Sequence, residues 1–511
     1  MPRMKHVSKV QHRHDQSKDQ TRSHASSPNG EQYCVRMSSS QHVVVTPSGA
    51  IRGVVTAAKQ YEYLGIPYAS SQRFQAPVDI DSWTGELDAT VRGPISPQVP
   101  GMLELMLGFD ASSMDENCLN LNVFSPVDKA DASLPVLVWI HGGAYTNGSG
   151  SIAWYDGNAL ASRGAVVVTI NYRLGALGFL GDGNYGTLDM ISSLRWVQKN
   201  ISSFGGNPNN VTIFGESAGG SAVISLMSSP DIKDLVNKAW TMSPSIGQLR
   251  DSPRALELQI EFLQIAGVAS MEEAALLSLE DLLAAQAKQL ALPSPSFDFF
   301  APTAGGPALP TDLLAMAAAS PIPFVIGTNR DENKLWSAFD PQAAAATTET
   351  WEKFAETTFG SKASKARAAY EALRPGETPG GLMSAVSTDT AFRQRAIQFA
   401  EMRVNQSLPS WMYWFTWATP AFDGAVGCCH ALDIPFAFDN LSSPGTNMFT
   451  GDAPECQSIA TRFADEIVAF ALHGHPSWAQ YDSASRATLE INKETQLLSD
   501  PESSIRSLFL S

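Results

Sequence analysis

The sequence predicts an α/β protein with a large, mostly parallel central sheet flanked by helices and further cap-like helices inserted late in the chain. Three observations carry that prediction. Apolar runs, each followed by a glycine-rich or polar turn, recur at LPVLVWIHGG (134–143), GAVVVTINY (164–172), NVTIFGESAGG (210–220), IPFVIGTNRDE (322–332) and WMYWFTWA (411–418). A strand that is apolar at every position is one covered on both faces, as strands of a parallel sheet are. Between these runs lie segments of helical period, among them LDMISSLRWVQKNI (188–201) and ATRFADEIVAFALHG (460–474). Alternation of the two element types places helices on both faces of one sheet. Lastly, 44% apolar and 17% charged residues over 511 positions supply ample material for a large core.

In chain order, residues 1–36 come first and stand apart. They hold seven Lys/Arg against Asp15, Asp19 and Glu31, and are rich in Ser, Gln and His. That composition predicts a disordered basic tail. Short apolar alternations punctuated by glycine from Val43 to Pro67 predict antiparallel strands. The five runs follow, and the Ala/Leu/Glu-rich stretches around 253–320 and 340–400 are expected as helical insertions. Residues 37–511 are thus expected to form a single catalytic domain.

The net charge of −16 excludes a nucleic-acid binder, which needs clustered Lys and Arg to meet phosphates. No apolar run reaches the length of a membrane span, and no apolar stretch of signal length follows the basic tail. Five cysteines, two of them adjacent (Cys428 and Cys429), fit no metal-binding spacing. They read as reduced thiols, and a cytoplasmic setting is expected, with the protein a monomer or homodimer.

The sharpest signal is Gly215-Glu216-Ser217-Ala218-Gly219, lying between the strand VTIF and a helical segment. A G-x-S-x-G sequence in strand–turn–helix context is a nucleophile elbow, which lifts the serine hydroxyl off the sheet at a helix N-terminus. His141-Gly142-Gly143-Ala144 follows another strand, so its amides can converge on a developing oxyanion. Serine needs a base. Of the nine histidines, His6, His12, His14 and His24 lie in the tail and His42 precedes the fold. His141 belongs to the oxyanion turn, and His473 and His475 end a helix. His430, in the loop DGAVGCCHALDIPF after a strand, remains. The expected order in this fold is serine, acid, histidine. Between Ser217 and His430, Asp331 and Glu332 both directly follow a buried strand, and spacing alone leaves the choice open.

These residues, with YLGIPYA (63–69), RFQAP (73–77), ENCLNLNVFSP (116–126), NYRLGALGFL (171–180), FGGNPNNVTIFGESAGG (204–220) and HALDIPFAF (430–438), resemble the type-B carboxylesterases. That family includes cholinesterases and bacterial para-nitrobenzyl-type esterases. The resemblance spans roughly residues 41–505. It implies Glu332 as the acid, from a D-E-G sequence in which Asn333 here replaces the glycine. It implies oxyanion donors at Gly143, Ala144 and Ala218, and structural ion pairs Arg73–Glu116 and Arg173–Asp189. Secreted members pair the cysteine at position 118 with an earlier one, but Ser96 stands at that place, so an unpaired Cys118 is expected. No Trp occurs between Trp83 and Trp139, which disfavours a choline-ester specialist. The implied activity is hydrolysis of small-molecule carboxylic esters through an acyl-serine, with no cofactor or metal. The same triad serves carbamates, amides and lactones, and a non-catalytic adhesion protein on this fold would have lost the nucleophile. Pocket residues are expected in 97–110, 290–320 and 380–425.

Overall fold

The computed structural model describes residues 40–101, 113–293 and 298–510. The chain divides into Met1–Ser38 and Ser39–Ser511. The expected basic tail at 1–36 lies outside the described residues.

One sheet organises the described part. Its strands lie side by side in the order Ser40–Thr46, Gly49–Val55, Tyr61–Pro67, Asn120–Ser125, Val166–Ile170, Leu134–Ile140, Gly206–Glu216, Lys238–Met242, Phe324–Asn329, Ser410–Phe415, Ala487–Ile491 and Gln496–Ser499, with Glu86–Asp88 beside Gly49–Val55. The first four are antiparallel to one another, and Asn120–Ser125 is antiparallel to Val166–Ile170. From Val166–Ile170 across to Ala487–Ile491 every pairing is parallel. All five apolar runs became parallel strands. Lys238–Met242, whose KAWTM sequence mixes charge and hydroxyl with bulk and closes on no glycine turn, is a further strand the apolar pattern does not announce.

Helices cover both faces, among them Tyr185–Asn200, Ala218–Ser228 and Cys456–His473. Alternate residues of the parallel strands enter two separate cores. Val136, Val138, Ile140, Ile213 and Ile326 pack into one with the helix around Leu194. Leu137, Trp139, Phe214, Trp240 and Val325 pack into the other with Phe463 and Phe470. Residues 253–320 hold the helices Ser252–Ala266 and Leu279–Leu290, and residues 340–400 hold Thr348–Phe359, Ala363–Leu373 and Pro379–Thr388. The latter group buries a small core of its own around Trp351, Tyr370 and Val386. Helix Pro379–Thr388 then runs into a π-helical turn, Asp389–Arg393.

Two buried arginines pin this frame. Arg173 holds Asp189 through Nε (2.8 Å) and Nη2 (2.7 Å) and the carbonyl of Gln75 through Nη1 (2.8 Å). Among the described residues Arg403 has no carboxylate partner; it donates to the carbonyls of Ala317, Ser320 and Ile322 and to Ser410 Oγ, joining a helix end to two strands. Burial pushes its pKa down to about 10, which still leaves it charged at neutral pH. Arg73 pairs with Glu116, Nε to Oε2 at 2.7 Å. Among the described residues no helix is long and apolar enough to cross a membrane.

Candidate active site

The strand Gly206–Glu216 and the helix Ala218–Ser228 are separated by Ser217 alone. To turn that sharply Ser217 takes φ 57° and ψ −122°, a conformation an L-residue keeps only when its surroundings over-determine it. Here its N–H donates to the Met242 carbonyl at 2.9 Å, and its own carbonyl accepts from Ser221 N–H at 2.9 Å. The flanking glycines are required by close approach. A Cβ on Gly215 would lie 2.6 Å from both the Gly219 carbonyl carbon and the Ile140 oxygen. Ser217 thus stands at a helix N-terminus, where unpaired amides and the helix dipole favour negative charge.

Facing it is the turn after strand Leu134–Ile140. Gly143, Ala144 and Tyr145 all have positive φ, at 102°, 54° and 60°. Within the turn the Thr146 and Asn147 N–H groups donate to the Gly143 carbonyl (2.9 and 3.0 Å). From outside come bonds from Tyr172 Oη to the His141 carbonyl (2.8 Å), Gly175 N–H to the Tyr145 carbonyl (2.7 Å) and Gln248 Nε2 to the Ala144 carbonyl (3.0 Å). A Cβ on Gly142 would sit 3.1 Å from Ser217 Cβ, so this backbone lies directly against Ser217. Among the described residues the N–H groups of Gly143, Ala144 and Ala218 donate to no protein acceptor. His141 stacks on Tyr172, centroids 4.5 Å apart. Burial pushes its pKa down to about 4, so it is neutral, and Nδ1 faces the Gly142 carbonyl at 2.8 Å.

His430 and Glu332 meet. Glu332 Oε2 lies 2.6 Å from His430 Nδ1, while Oε1 accepts from the Asn329 N–H at 2.7 Å. Asp331 turns the other way: its Oδ2 accepts from Cys428 N–H at 3.1 Å, and its own N–H donates to the Cys428 carbonyl. The two loops are thereby laced together. Asn329 Nδ2 adds a bond to the Cys429 carbonyl (2.8 Å) and another to Asp433 Oδ1 (3.2 Å).

The sequence reading missed a second carboxylate on the imidazole. Glu216, the residue immediately before Ser217, has Oε1 at 3.1 Å from His430 Nε2. The two are in ionic contact, but their alignment makes no hydrogen bond, so Nε2 keeps none among the described residues. Burial pushes Glu216 up to about 8, with His430 pulling the other way and Asp433 and Glu332 adding to the rise. Burial alone would lower His430, but Glu216 and Glu332 outweigh it and raise it to about 9. The pair titrates as one unit, since a proton on Glu216 removes a charge that raises His430. The signal available in the sequence was an acidic residue at the buried end of the strand, inside the motif itself.

Two rings complete the surroundings. Phe392 and Trp336 lie against His430 at 4.8 and 5.1 Å, stacked on each other with planes 5° apart. Phe392 falls in the expected 380–425 pocket stretch, whereas Trp336 falls in none of the three. Residues 102–110 and 294–297, parts of the other two stretches, lie outside the described residues.

Residues 40–506 match the profile of the carboxylesterase family. The chain belongs to that family. It is 36% identical over 494 residues to the para-nitrobenzyl esterase of Bacillus subtilis (strain 168), covering 91% of this chain and 97% of that one. It is 32% identical to the fumonisin B1 esterase of Sphingopyxis macrogoltabida, covering 84% and 82%. A crystal structure of a Geobacillus stearothermophilus carboxylesterase superposes with a TM-score of 0.80 at 32% identity, covering 92% of this chain and 100% of that one. The fold is that of the α/β-hydrolases, and the protein is a carboxylic-ester hydrolase acting on small-molecule esters. Two departures from the family pattern have local reasons. Asn333, in place of a glycine, adopts φ −68° and ψ −14°, which any residue tolerates. Cys118 is buried, unpaired and hydrogen-bonded to Ser96, and burial pushes its thiol up to about 12.

Proposed function

We propose that this carboxylesterase works through an acyl-enzyme on Ser217, with His430 as general base and acid, Glu332 as its orienting carboxylate, and the amides of Gly143, Ala144 and Ala218 as the oxyanion hole. The observation that carries the reading is the state of the imidazole. Its Nδ1 is committed to Glu332 at 2.6 Å, and its Nε2, beside the elbow, has no hydrogen-bond partner. A ring held that way presents Nε2 as the proton acceptor, and Glu332 stabilises the imidazolium. Ser217 Oγ forms a bond to the ester carbonyl carbon as its proton passes to Nε2. The tetrahedral oxyanion gathers the three amides, each such donor contributing about 3 kcal/mol. The carbon–alkoxide bond breaks, and the alcohol leaves with the proton from Nε2. Water then repeats the sequence on the acyl-serine, releasing the acid. Four buried, unpaired cysteines support a reducing, cytoplasm-like setting for this chemistry.

The test is Ser217→Ala assayed with para-nitrophenyl acetate and butyrate. Turnover is expected to vanish while the thermal transition stays in place. Turnover at the parent rate would remove Ser217 from the mechanism.

A further inference from the structure

We propose that Gln248 is a positioning residue that ties the two halves of the oxyanion hole together. The inference rests on the reading of Gly143, Ala144 and Ala218 as the donors.

Those donors come from different elements. Gly143 and Ala144 lie on the turn after Leu134–Ile140, and Ala218 opens the helix after the elbow. An oxyanion hole works only if all donors converge on one oxygen to within a fraction of an ångström. The turn does not hold its shape by intrinsic preference, because Ala144 and Tyr145 are consecutive non-glycine residues in the left-handed region. Something outside the turn must fix it relative to the helix.

Gln248 spans that gap. It is buried, and its Nε2 donates to the Ala144 carbonyl at 3.0 Å. Its Oε1 accepts from Ser245 Oγ at 3.2 Å, and its own N–H donates to the Ser245 carbonyl at 2.8 Å. Ser245 in turn reaches the elbow twice. Its N–H points to the Ser217 carbonyl at 3.4 Å, and its Oγ accepts from Ser221 Oγ, one helical turn beyond the nucleophile, at 3.4 Å. A continuous chain therefore runs from the Ala144 carbonyl through Gln248 and Ser245 to Ser217 and Ser221. Holding that carbonyl restrains ψ of Ala144 and so limits rotation of the residue whose own N–H is one of the donors. A side-chain amide suits the post because it donates at one end and accepts at the other. An ionised carboxylate of the same size accepts only.

The test uses the full chain carrying Gln248→Glu, which keeps the volume and loses the donor, and Gln248→Leu, which loses both ends. Three quantities are read: kcat and KM with para-nitrophenyl acetate, inhibition by an aryl trifluoromethyl ketone, and the thermal transition. The ketone adds to a serine to give an oxyanionic hemiketal, so its affinity reports the hole directly. Expected in both variants is a fall in kcat of about 10- to 100-fold with KM changed less than about threefold. The ketone should weaken by the same factor as kcat/KM. Ser245→Ala should lower kcat by a smaller factor in the same direction. Unchanged kcat and ketone affinity in Gln248→Glu would overturn the proposal. So would a fall in activity that only follows loss of folded protein, with the folded fraction binding the ketone at parent strength. If Ser217→Ala abolishes turnover while Gln248→Glu is silent, the positioning role fails and the esterase mechanism stands. Retained turnover in Ser217→Ala would instead remove the reading beneath both.

Discussion

Arg173 and Asp189 are buried, as are His430, Glu332 and Glu216, and the two groups are assembled differently. In the first, Nε and Nη2 of the guanidinium reach Asp189 and Nη1 reaches the carbonyls of Gln72 and Gln75, while Asp189 also accepts the Arg173 N–H at 3.1 Å. The charge is permanent and the pair acts as a fastening. In the second, one nitrogen of the imidazole is bonded at 2.6 Å, while the other and Glu216 Oε1 have no hydrogen bond. A buried polar atom left so is normally costly. Under the proposed mechanism the difference teaches that an unfilled bond is tolerated where a proton must come and go, while saturated pairs elsewhere hold the frame.

Breaking the reactive group at its acid should give the largest effect. Glu332→Gln keeps the shape but loses the charge that orients the ring, and kcat is expected to fall on the order of 10⁴-fold. Asp331→Asn, whose carboxylate serves the Cys428 amide, should stay within about tenfold of the parent. Steady-state kinetics on both separates them, and a collapse in the second variant alone would overturn the assignment of the acid.

Breaking the fastening should strike stability instead. Arg173→Met leaves Asp189 buried without its partner, which typically costs about 3–5 kcal/mol. A lowered denaturation midpoint is expected, with kcat per folded molecule close to the parent. If the midpoint did not move, the pair would not be holding the frame.

The smallest effect sharpens the comparison from the other carboxylate. In the proposed mechanism activity needs neutral His430, so kcat/KM should rise with pH as the imidazolium loses its proton. Glu216 is a negative neighbour that raises His430. Glu216→Gln removes that charge, imidazolium becomes easier to deprotonate, and the acidic limb of the profile should move to lower pH. A limb that stayed put or moved upward would show that Glu216 does not govern the histidine's charge.

Much of this was legible in one dimension because each of the three principal residues follows the C-terminal end of a buried strand. Ser217 follows Gly206–Glu216, Glu332 follows Phe324–Asn329, and His430 lies in the loop after Ser410–Phe415. Apolar runs mark such ends plainly. Adjacent residues at one end are not separable by pattern, which is why spacing left Asp331 and Glu332 level and only the family resemblance favoured Glu332. Glu216 was hidden for another reason: its partner is more than two hundred positions away, and a strand-end carboxylate has no periodic signature. Phe392 reaches His430 from a π turn, which a helical pattern does not distinguish from ordinary helix. Trp336 comes from a four-residue helix, Lys334–Ser337, too short to show a period.

The backbone angle at Ser217 also limits which residues evolution can try there. A threonine hydroxyl has the same chemistry as serine's, and exchange between the two is commonplace on protein surfaces. At φ 57° a branched β-carbon is crowded by its own main chain, so that route is closed. Cysteine, unbranched like serine, could still be seated. Selection at Ser217 thus acts first through the shape of the turn and only then through the reactivity of the atom it carries.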